Sequence, residues 1–468
     1  MKEPQKDLFA YNIDLDRRVR PDHPLRRIAE TIDFTFVRAE VAKFYGKNGN
    51  VSVDPVVILK LMFLLFYDDV ASERELMAML SERLDYLWFL GYGLNDEIPN
   101  HSVLSKARKR WGKEVFQSFF VRIITQCMEK GLVDGRKVHV DASLVDANAS
   151  KDSVVKASPE LITALKEAYQ AQESKLDAPA YYELVNDRMM STTDPDAPVT
   201  RKNNESARPR YHHHRVVDDA HGVITAVETT PGSIPENKKL MEMVQQHEAN
   251  TGEKVGTVVA DNKYGTSENY VAGQKQGWTT HLGDMASYQT EIPRRKGIFP
   301  ESAFRYRAQD NTYVCPAGQV MKARRLHWHK RTWEYHLPKG VCSQCSLRSQ
   351  CTRSKTGRTI HRHEDQELLE KARQQAHSAA ARRDRVRRQI VMEASFADAA
   401  NNHGFKRSRW RRLWRQQIQD YLIAAIQNIR ILLRRGCPLS RAAAALPAKF
   451  LRWQELLVYF GWCSLRRT

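Results

Sequence analysis

Residues 138–148 read VHVDASLVDAN and carry the first indication of the fold. The valines favour a β-strand, because β-branched side chains fit the pleated surface of a sheet. Asp141 follows where the run turns polar, and aspartate is a poor strand former. We therefore predict a buried strand that ends on Asp141, where a fixed carboxylate could hold a metal ion. Asp146, in the same stretch, is the alternative acid.

The composition of the chain indicates a large basic protein. It has 468 residues, of which 42% are hydrophobic, and a formal net charge of +19. The length predicts about two to four structural units, and the charge predicts a polyanionic partner, either nucleic acid or an anionic surface. A membrane protein is disfavoured, because the longest apolar run, residues 56–66, is too short to span a bilayer and contains Lys60. Residues 1–7 lack the apolar core of a signal peptide, so we expect a cytoplasmic location.

Residues 1–135 predict a helical domain. Asp54 and Pro55 form an N-cap followed by proline, which opens an apolar helix, and residues 75–90 predict a further helix. Residues 103–112 predict a short basic helix after a proline-containing turn. This pattern is typical either of the recognition helix of a helix-turn-helix or of a solvated surface helix, and it does not decide between them. The candidate DNA contacts on this helix are Lys106, Arg108, Lys109 and Arg110.

Residues 136–285 change to strands that alternate with helices. Residues 211–217 and 223–229 flank a turn and predict a β-hairpin. A later strand, residues 255–260, is followed directly by Asp261. Hairpin strands followed by alternating strands and helices predict a mixed sheet with helices packed on it.

Residues 286–360 are basic and turn-rich, and they interrupt this order as an insertion would. Cys342 and Cys345 form a C-x-x-C pair, with Cys315 upstream and Cys351 downstream. Four thiols are the number that a structural zinc ion needs. Because no export signal is evident, a metal is favoured over disulfides. The alternative is a set of four reduced cysteines without a metal.

Residues 365–402 predict one long helix that carries Glu393. Its neighbours at helical spacing are apolar, which places Glu393 on an apolar stripe. The stripe contains Val386, Ile390, Ala397 and Ala400. A single carboxylate on a buried stripe costs free energy unless something compensates its charge, and a metal ion would do so.

Residues 405–415 interleave basic residues with two tryptophans. This pattern suits the backbone of a nucleic acid, but a solvated basic face with buried tryptophans fits about as well. The candidate DNA contacts in this segment are Lys406, Arg407, Arg409, Arg411 and Arg412. Residues 416–434 predict a further amphipathic helix, and residues 436–468 an aromatic-rich helical cap.

Three acids therefore become candidates for one site, namely Asp141, Asp261 and Glu393. Carboxylates that converge could hold two divalent cations, and hard oxygen ligands suit Mg²⁺ or Mn²⁺. Two such ions can activate a water or a 3′-hydroxyl and stabilise the leaving oxygen of a phosphodiester. Each acid also has an ordinary structural interpretation, at a strand–loop junction, in a turn or in an ion pair with a nearby arginine. Their joint occurrence in a basic chain favours the catalytic interpretation.

The order of the motifs resembles that of the DDE transposases of bacterial insertion sequences, in the subgroup with an N-terminal helical domain. The resemblance covers most of the chain, from about residue 24 to about residue 435. The matching motifs are FYG at 44–46 with SVDPV at 52–56, residues 89–94 with the basic 106–111, VDAS at 140–143, TDPDA at 193–197, VETTPG at 227–232, Ala260-Asp261 with Tyr264-Gly265, CPAG at 315–318, and Glu393 to Asp398 followed by His403-Gly404. Each motif is weak alone, whereas their joint order is specific.

The resemblance implies a mixed α+β fold with an RNase H-like catalytic core, in which helices flank a mixed five-stranded sheet. It places Asp141 on the first strand of this core, Asp261 after the fourth strand and Glu393 on a later helix. The implied domains are 1–135 for DNA binding, 136–285 and 361–435 for the two parts of the catalytic core, 286–360 for the Cys-rich insertion and 436–468 for the helical cap.

The activity implied by the resemblance is Mg²⁺-dependent cleavage and strand transfer of DNA at the inverted-repeat ends of the element. The implied partners are these double-stranded ends, target DNA and, because two ends must be joined, a second copy of the chain. No small-molecule substrate and no membrane are expected, and the DNA-bound protein would lie at the nucleoid. The alternative is an inactive or repurposed transposase that binds DNA without cutting it. An RNase H-like nuclease that acts on RNA or branched DNA is a third interpretation.

Overall fold

The computed structural model describes residues 14–45, 52–156, 189–201, 205–284 and 297–436, and seven further residues between 158 and 167. The predicted C-terminal cap lies outside these residues, apart from Gly436. Within the described ranges, no helix is long and apolar enough to cross a membrane.

The N-terminal part of the described chain is helical, as predicted. Its helices are Leu15–Arg18, Pro24–Thr31, Phe36–Val41, Pro55–Tyr67, Glu73–Leu80, Leu84–Leu90, Ser102–Trp111 and Glu114–Glu129. The predicted N-cap is confirmed, because the Asp54 carboxylate accepts a hydrogen bond from the Val56 amide at 3.0 Å. Pro55 occupies the first helical position, where its missing N–H group costs nothing.

The single helix predicted for residues 75–90 is wrong. The chain forms two helices there, Glu73–Leu80 and Leu84–Leu90. Arg83 separates them, because its backbone is extended and its guanidinium pairs at 2.6 Å with Asp85 in the first turn of the second helix. The apolar periodicity continues through this break, which is why spacing alone predicted one helix.

The main sheet has the strand order of an RNase H-like fold. The described strands are β1 (Lys137–Asp146), β2 (Val154–Lys156), β3 (Met189–Ser191), β4 (Val199–Thr200), β5 (Arg208–Asp218), β6 (Ile224–Pro231), β7 (Thr257–Val259), β8 (Thr279–His281), β9 (Arg305–Arg307), β10 (Thr312–Val314), β11 (Val320–His327), β12 (Thr332–His336) and β13 (Thr359–His363). Strands β6, β5, β1, β7 and β8 lie side by side in this order, and the short β4 pairs with the start of β5. Strands β1, β5 and β6 pair antiparallel, whereas β7 and β8 run parallel to β1. The predicted mixed fold and the predicted hairpin of β5 and β6 are therefore confirmed.

Strand β1 does not end on Asp141, and this part of the prediction is wrong. Strand β5 pairs with β1 from Val138 to Asp146, so the antiparallel ladder holds the chain extended well past Asp141. Strand β7 accompanies β1 only as far as His139. Asp141 therefore lies in mid-strand, just beyond the point where the parallel neighbour stops.

Helices cover both faces of the main sheet. One face packs against the helices Leu240–Thr251, Ser267–Lys275 and Gln366–His377. The other face packs against Ala379–Asn402 and the buried helix Leu413–Ile431. This buried helix also contacts the N-terminal helices, for example through Tyr421 and Phe120, whose ring centroids are 5.8 Å apart. The N-terminal helices and this sheet face thus share one hydrophobic core.

The long helix predicted for residues 365–402 is wrong, because Ser378 divides it. Gln366–His377 ends at this residue and Ala379–Asn402 begins after it. Ser378 has an extended backbone, and its hydroxyl accepts a hydrogen bond from the Ala381 amide at 3.0 Å. The serine therefore caps the second helix instead of continuing the first.

Strands β9 to β13 form a separate antiparallel sheet. Its core consists of the buried side chains of Phe304, Tyr313, Met321, Tyr335, Leu337 and Ile360. In the chain, this sheet follows β8 and precedes the helix Gln366–His377. The region predicted as an insertion thus contains its own small sheet, while the domain boundaries themselves stay a prediction.

Candidate active site

Asp141 lies on the sheet face that is covered by the helix Ala379–Asn402. Its side chain is 19% exposed, and its Oδ2 accepts a hydrogen bond from Arg388 Nη2 of this helix at 3.2 Å. The Ala142 amide donates to Oδ1 at 2.9 Å. Burial raises the pKa of the Asp141 carboxyl to about 6, although the Arg388 guanidinium and the Ala142 amide lower it. The site therefore favours a nearby cation, which would keep this carboxyl ionised.

Asp261 follows the end of β7, where it caps the short helix Asn262–Tyr264. Strand β7 runs parallel to β1 with Val259 opposite His139, and Asp261 and Asp141 each lie two residues beyond this last pair. Adjacent strands lie about 4.8 Å apart, which brings the two acids close together. The charge of Asp261 is accordingly one of the influences that raise the pKa of Asp141. Two of the three predicted acids therefore meet at the end of β7.

The turn after Asp261 is tightly packed. The Asp261 carboxylate accepts a hydrogen bond from the Lys263 amide at 2.9 Å and so caps the short helix Asn262–Tyr264. A Cβ atom at Gly265 would lie 1.6 Å from the carbonyl oxygen of Gly283. Only glycine fits at this close approach of two backbones, and the fixed turn holds the Asp261 carboxylate in place.

Glu393 lies on the exposed side of its helix, where the Gln389 side-chain amide donates to Oε1 at 3.0 Å. The prediction of a buried apolar stripe is wrong, because Val386 is 60% exposed and Ile390 is 65% exposed. The helix buries a different set of residues, namely Ala381, Met392 and Ala399. The free-energy cost of burial therefore gives no reason to place a metal at Glu393.

The three acids are not assembled into a complete metal site. Among the described residues, no three His, Cys, Asp or Glu side chains already stand in an arrangement that could hold a metal ion. Glu393 follows Arg388 by five positions on the same helix, about 7.5 Å along the axis. The helix that would supply the third acid thus already contacts Asp141, but through Arg388. The carboxylates of Asp141 and Asp261 are nonetheless suitable oxygen ligands for a divalent metal ion. One of them, Asp141, already binds a cationic side chain.

Asp146, the alternative acid, is held in a different environment. It pairs with Arg208 at 2.8 Å and with Arg210 at 2.7 Å. Asp146 follows Asp141 by five positions on β1, which corresponds to about 16 Å. Asp146 therefore lies away from the pair of Asp141 and Asp261, as the geometry of a shared site requires, and its ion pairs tie β1 to β5.

Sequence reasoning missed Glu236, a carboxylate on the short helix Glu236–Lys239 after β6. It is 8% exposed, and Lys263 Nζ donates to its Oε1 at 2.5 Å. Its charge also raises the pKa of Asp141, so it lies near the acid pair. Glu236 follows the end of a strand within a few residues, as Asp261 does, and this pattern could have identified it.

The basic residues of the helix Ser102–Trp111 divide into two groups. Lys106, Lys109 and Arg110 are exposed. Arg108 is 3% exposed: it forms an ion pair with Glu73, and its guanidinium lies 3.9 Å from the centre of the Trp410 ring. The predicted DNA contact by Arg108 does not fit this position, because its charge is already paired inside the protein.

The segment after the Glu393 helix divides in the same way. Lys406, Arg407 and Arg411 are exposed. Arg412 is buried with its Nε 2.9 Å from Asp196, and Arg409 is largely buried in a pair with Asp69. These two pairs hold the start of the helix Leu413–Ile431 in place, so neither guanidinium fits the predicted contact with DNA.

Lys406 borders the acid pair. Its ammonium donates to Ser143 Oγ at 2.7 Å. Ser143 follows Asp141 by two positions on β1, and alternate residues of a strand face the same side. Positive charge therefore lies beside the acids on the side where the helix Ala379–Asn402 ends.

Two family models match separate parts of the chain. A transposase domain (DUF772) matches residues 13–110, and a transposase DDE domain matches residues 314–433, which include Glu393. The comparison with curated proteins found no match to this chain.

Solved structures of Mos1 transposase complexes are similar at a low level. The paired-end complex with the left transposon end has 14% identity and a TM-score of 0.17, and the match covers 55% of this chain and 68% of that chain. The mariner paired-end complex with Mn has 14% identity and a TM-score of 0.17, with 60% and 73% covered. The pre-cleavage transpososome has 12% identity and a TM-score of 0.17, with 53% and 65% covered. Both family models describe transposase domains, and together they support a DDE transposase of the insertion-sequence type.

Proposed function

We propose that this protein binds the inverted-repeat ends of its insertion sequence and catalyses Mg²⁺-dependent DNA cleavage and strand transfer. Asp141, Asp261 and Glu393 are the proposed metal ligands. The observation that carries the proposal is the position of Asp141 and Asp261, each two residues beyond the last pair of β1 and β7 in a mixed sheet. The match of the transposase DDE domain over Glu393 supports the third ligand.

Carboxylate oxygens suit Mg²⁺ or Mn²⁺, and two such ions would activate the attacking oxygen and stabilise the leaving oxygen of the phosphodiester. Arg388 neutralises Asp141 before a metal binds. Glu393 lies on the exposed side of the same helix, so this helix or the two side chains would have to move for Glu393 to replace Arg388 at the acid pair. The guanidinium of Arg388 therefore lies at Asp141, where we propose that a metal ion binds.

The proposed DNA contacts are the exposed basic residues, namely Lys106, Lys109, Arg110, Lys406, Arg407 and Arg411. Because Lys406 contacts Ser143 next to Asp141, a phosphate bound by this lysine would lie near the acid pair. Phosphate contacts of this kind fix the position of the duplex and carry no sequence information. Two ends must be brought together for strand transfer, so we propose a homodimer on DNA that acts at the nucleoid.

Cleavage by the purified full chain tests this proposal. The substrate is a duplex with the inverted repeats that flank the coding sequence, and Mg²⁺ or Mn²⁺ is supplied. Asp141→Asn, Asp261→Asn and Glu393→Gln should each abolish cleavage and leave the affinity for the ends nearly unchanged. The matched control for Glu393→Gln is Glu370→Gln, because Glu370 is also an exposed helical glutamate bonded by a glutamine four positions earlier, at 2.9 Å.

Three outcomes would speak against the proposal. Cleavage that persists in one of the three variants would remove that residue from the site. Tight binding of the ends without any cleavage in Mg²⁺ or Mn²⁺ would favour the inactive or repurposed DNA-binding protein. Preferential cleavage of RNA or branched DNA without strand transfer would favour a nuclease.

A further inference from the structure

The four cysteines of the inserted sheet surround one small cavity. Cys315, Cys342, Cys345 and Cys351 all line it, and its volume is about 40 Å³. A water molecule occupies roughly 30 Å³ of the liquid, so the cavity has room for a single ion. None of the four forms a disulfide. The remaining lining is mostly apolar, and its charged members are Arg348 and Arg358.

Two separate turns bring these thiols together. Cys315 begins a tight turn between β10 and β11, in which the Gly318 amide donates to the Cys315 carbonyl at 2.8 Å. Cys342 and Cys345 lie on a second turn, and Cys351 ends the short helix Arg348–Cys351 that follows it. Two separate segments of the chain therefore supply the cysteines that line the cavity.

The packing around the thiols is close. A Cβ atom at Gly357 would lie 2.9 Å from Cys342 Sγ, so the backbone approaches this sulfur as near as glycine permits. All four thiols line the same small cavity and are therefore neighbours. Thiols crowded in this way ionise together only if a cation compensates their charge.

The small sheet also lacks a large core. Six buried hydrophobic side chains support five strands. A module of this size usually needs an additional constraint, such as a structural metal, because its apolar burial barely offsets the entropy of ordering. The cysteines lie at the end of this core, where Cys315, Cys342 and Cys351 pack against it.

We propose that Cys315, Cys342, Cys345 and Cys351 bind one structural Zn²⁺ ion, which fastens the β10–β11 turn to the helix Arg348–Cys351. The four thiols line the cavity, but their sulfurs are not yet at the distances of metal ligands, because no group of described side chains is arranged to hold a metal ion. Zn²⁺ would draw the deprotonated sulfurs inward to about 2.3 Å. Zinc is preferred over Mg²⁺ because thiolates are soft ligands. This inference does not depend on the proposed DNA cleavage.

The test is the metal content of the full chain, purified without chelators and measured by plasma mass spectrometry. One zinc per chain is expected in the wild type and in Cys127→Ala, since Cys127 is a buried cysteine of the helix Glu114–Glu129, far along the chain from the cluster. Cys345→Ser and Cys351→Ser should lose the zinc and unfold the inserted sheet at a lower temperature. Zinc that is retained in both serine variants, or a wild type that stays metal-free after incubation with zinc salt, would overturn the proposal.

A second measurement needs only the wild type and covers the case in which the serine variants fail to fold. Replacement of the ion by Co²⁺ should give the intense charge-transfer and ligand-field absorption of tetrahedral Co²⁺ with thiolate ligands. Weak octahedral absorption would overturn the proposal. So would four thiols that react freely with a disulfide reagent in the metal-loaded protein, or that are found as disulfides.

Discussion

Arg388 Nη2 lies 3.2 Å from Asp141 Oδ2, so a guanidinium of the protein itself is bound to one of the two proposed metal-binding aspartates. Arg388→Ala should therefore bind Mn²⁺ about three- to tenfold more tightly at pH 8, because the metal no longer displaces a guanidinium; this corresponds to roughly 1 kcal/mol. Titration calorimetry on the metal-free protein measures the effect. Arg387→Ala is the control, since Arg387 pairs with Asp219 instead. Unchanged or weaker Mn²⁺ binding by Arg388→Ala would contradict this role.

The same contact predicts a pH dependence of metal binding. The pKa of Asp141 is raised to about 6, and a protonated carboxyl must lose its proton before it can bind a cation. Mn²⁺ affinity should therefore be full above pH 7 and fall as the pH drops through about 6. Arg388 lowers the pKa of Asp141, so Arg388→Ala should move this fall to higher pH. A midpoint that stays in place in the variant would show that Arg388 does not act on Asp141.

Glu236 is predicted to orient the proposed metal ligands without binding the metal itself. Its buried carboxylate adds negative charge near Asp141 and holds Lys263, whose backbone amide donates a hydrogen bond to Asp261. Glu236→Gln should lower cleavage by about 10- to 100-fold, the effect typical of residues that orient metal ligands, while the affinity for DNA stays nearly constant. Glu268→Gln is the control, because Glu268 is exposed and pairs with Lys238 on the surface. Equal cleavage by the two variants would remove Glu236 from the site.

The exposed basic residues of the helix Ser102–Trp111 should determine the salt dependence of DNA binding. Replacement of Lys106, Lys109 and Arg110 by glutamine should lower the slope of log K against log salt by about 0.9 for each phosphate that the wild-type side chains neutralise. Arg108→Ala should instead lower the thermal stability, because it leaves Glu73 without its buried partner, at a cost of about 3–5 kcal/mol. Fluorescence anisotropy at several salt concentrations and thermal denaturation separate the two effects. A salt slope that the triple variant leaves unchanged would place the DNA elsewhere.

Local signals predicted the parts of the fold that local chemistry decides. Asp54 before Pro55 marked a helix start, and the two valine-containing runs around one turn marked the hairpin of β5 and β6. The serine cap at Ser378 was of the same local kind, but the apolar spacing on both sides hid it. Short-range patterns thus predict an element boundary where a single side chain forms the hydrogen bond that a free backbone amide needs.

Distant contacts decided the rest, and the sequence could not supply them. Strand β1 continues past Asp141 because β5 pairs with it, and the buried side of the Glu393 helix depends on which side meets the sheet. Both sides of that helix carry apolar residues, so periodicity could not distinguish them. Arg108 is buried because Glu73 and Trp410 meet it, and no pattern around Arg108 contains those partners.

Asp194 provides a test of stability that is separate from the active site. The Tyr211 hydroxyl donates to its Oδ1 at 2.8 Å and the Arg412 amide at 3.1 Å, whereas its buried Oδ2 finds no hydrogen-bond partner among the described residues. Burial raises the pKa of Asp194 from 3.8 to about 7, and the charge of Asp196 raises it further. Asp194 is therefore largely protonated in the folded protein below neutral pH.

This raised pKa fixes the sign of the pH effect. Between pH 4 and 7 the folded protein holds a proton that the unfolded chain has released, so the free energy of unfolding falls as the pH rises through this window. Asp194→Asn cannot ionise and keeps an oxygen for both hydrogen bonds. Relative to the wild type, its free energy of unfolding should increase by up to about 1.4 kcal/mol per pH unit between pH 5 and 7. Urea denaturation at several pH values measures this difference.

The control for this prediction is Asp196→Asn. Asp196 pairs with Arg412 at 2.9 Å and also accepts the Leu413 amide at 3.0 Å, so its replacement leaves a buried guanidinium without its charge partner. This variant should be less stable than the wild type at every pH. If Asp194→Asn instead differed from the wild type by a constant amount across pH 5 to 7, Asp194 would be ionised in the folded protein, and Arg412 would then have to compensate two carboxylates at once.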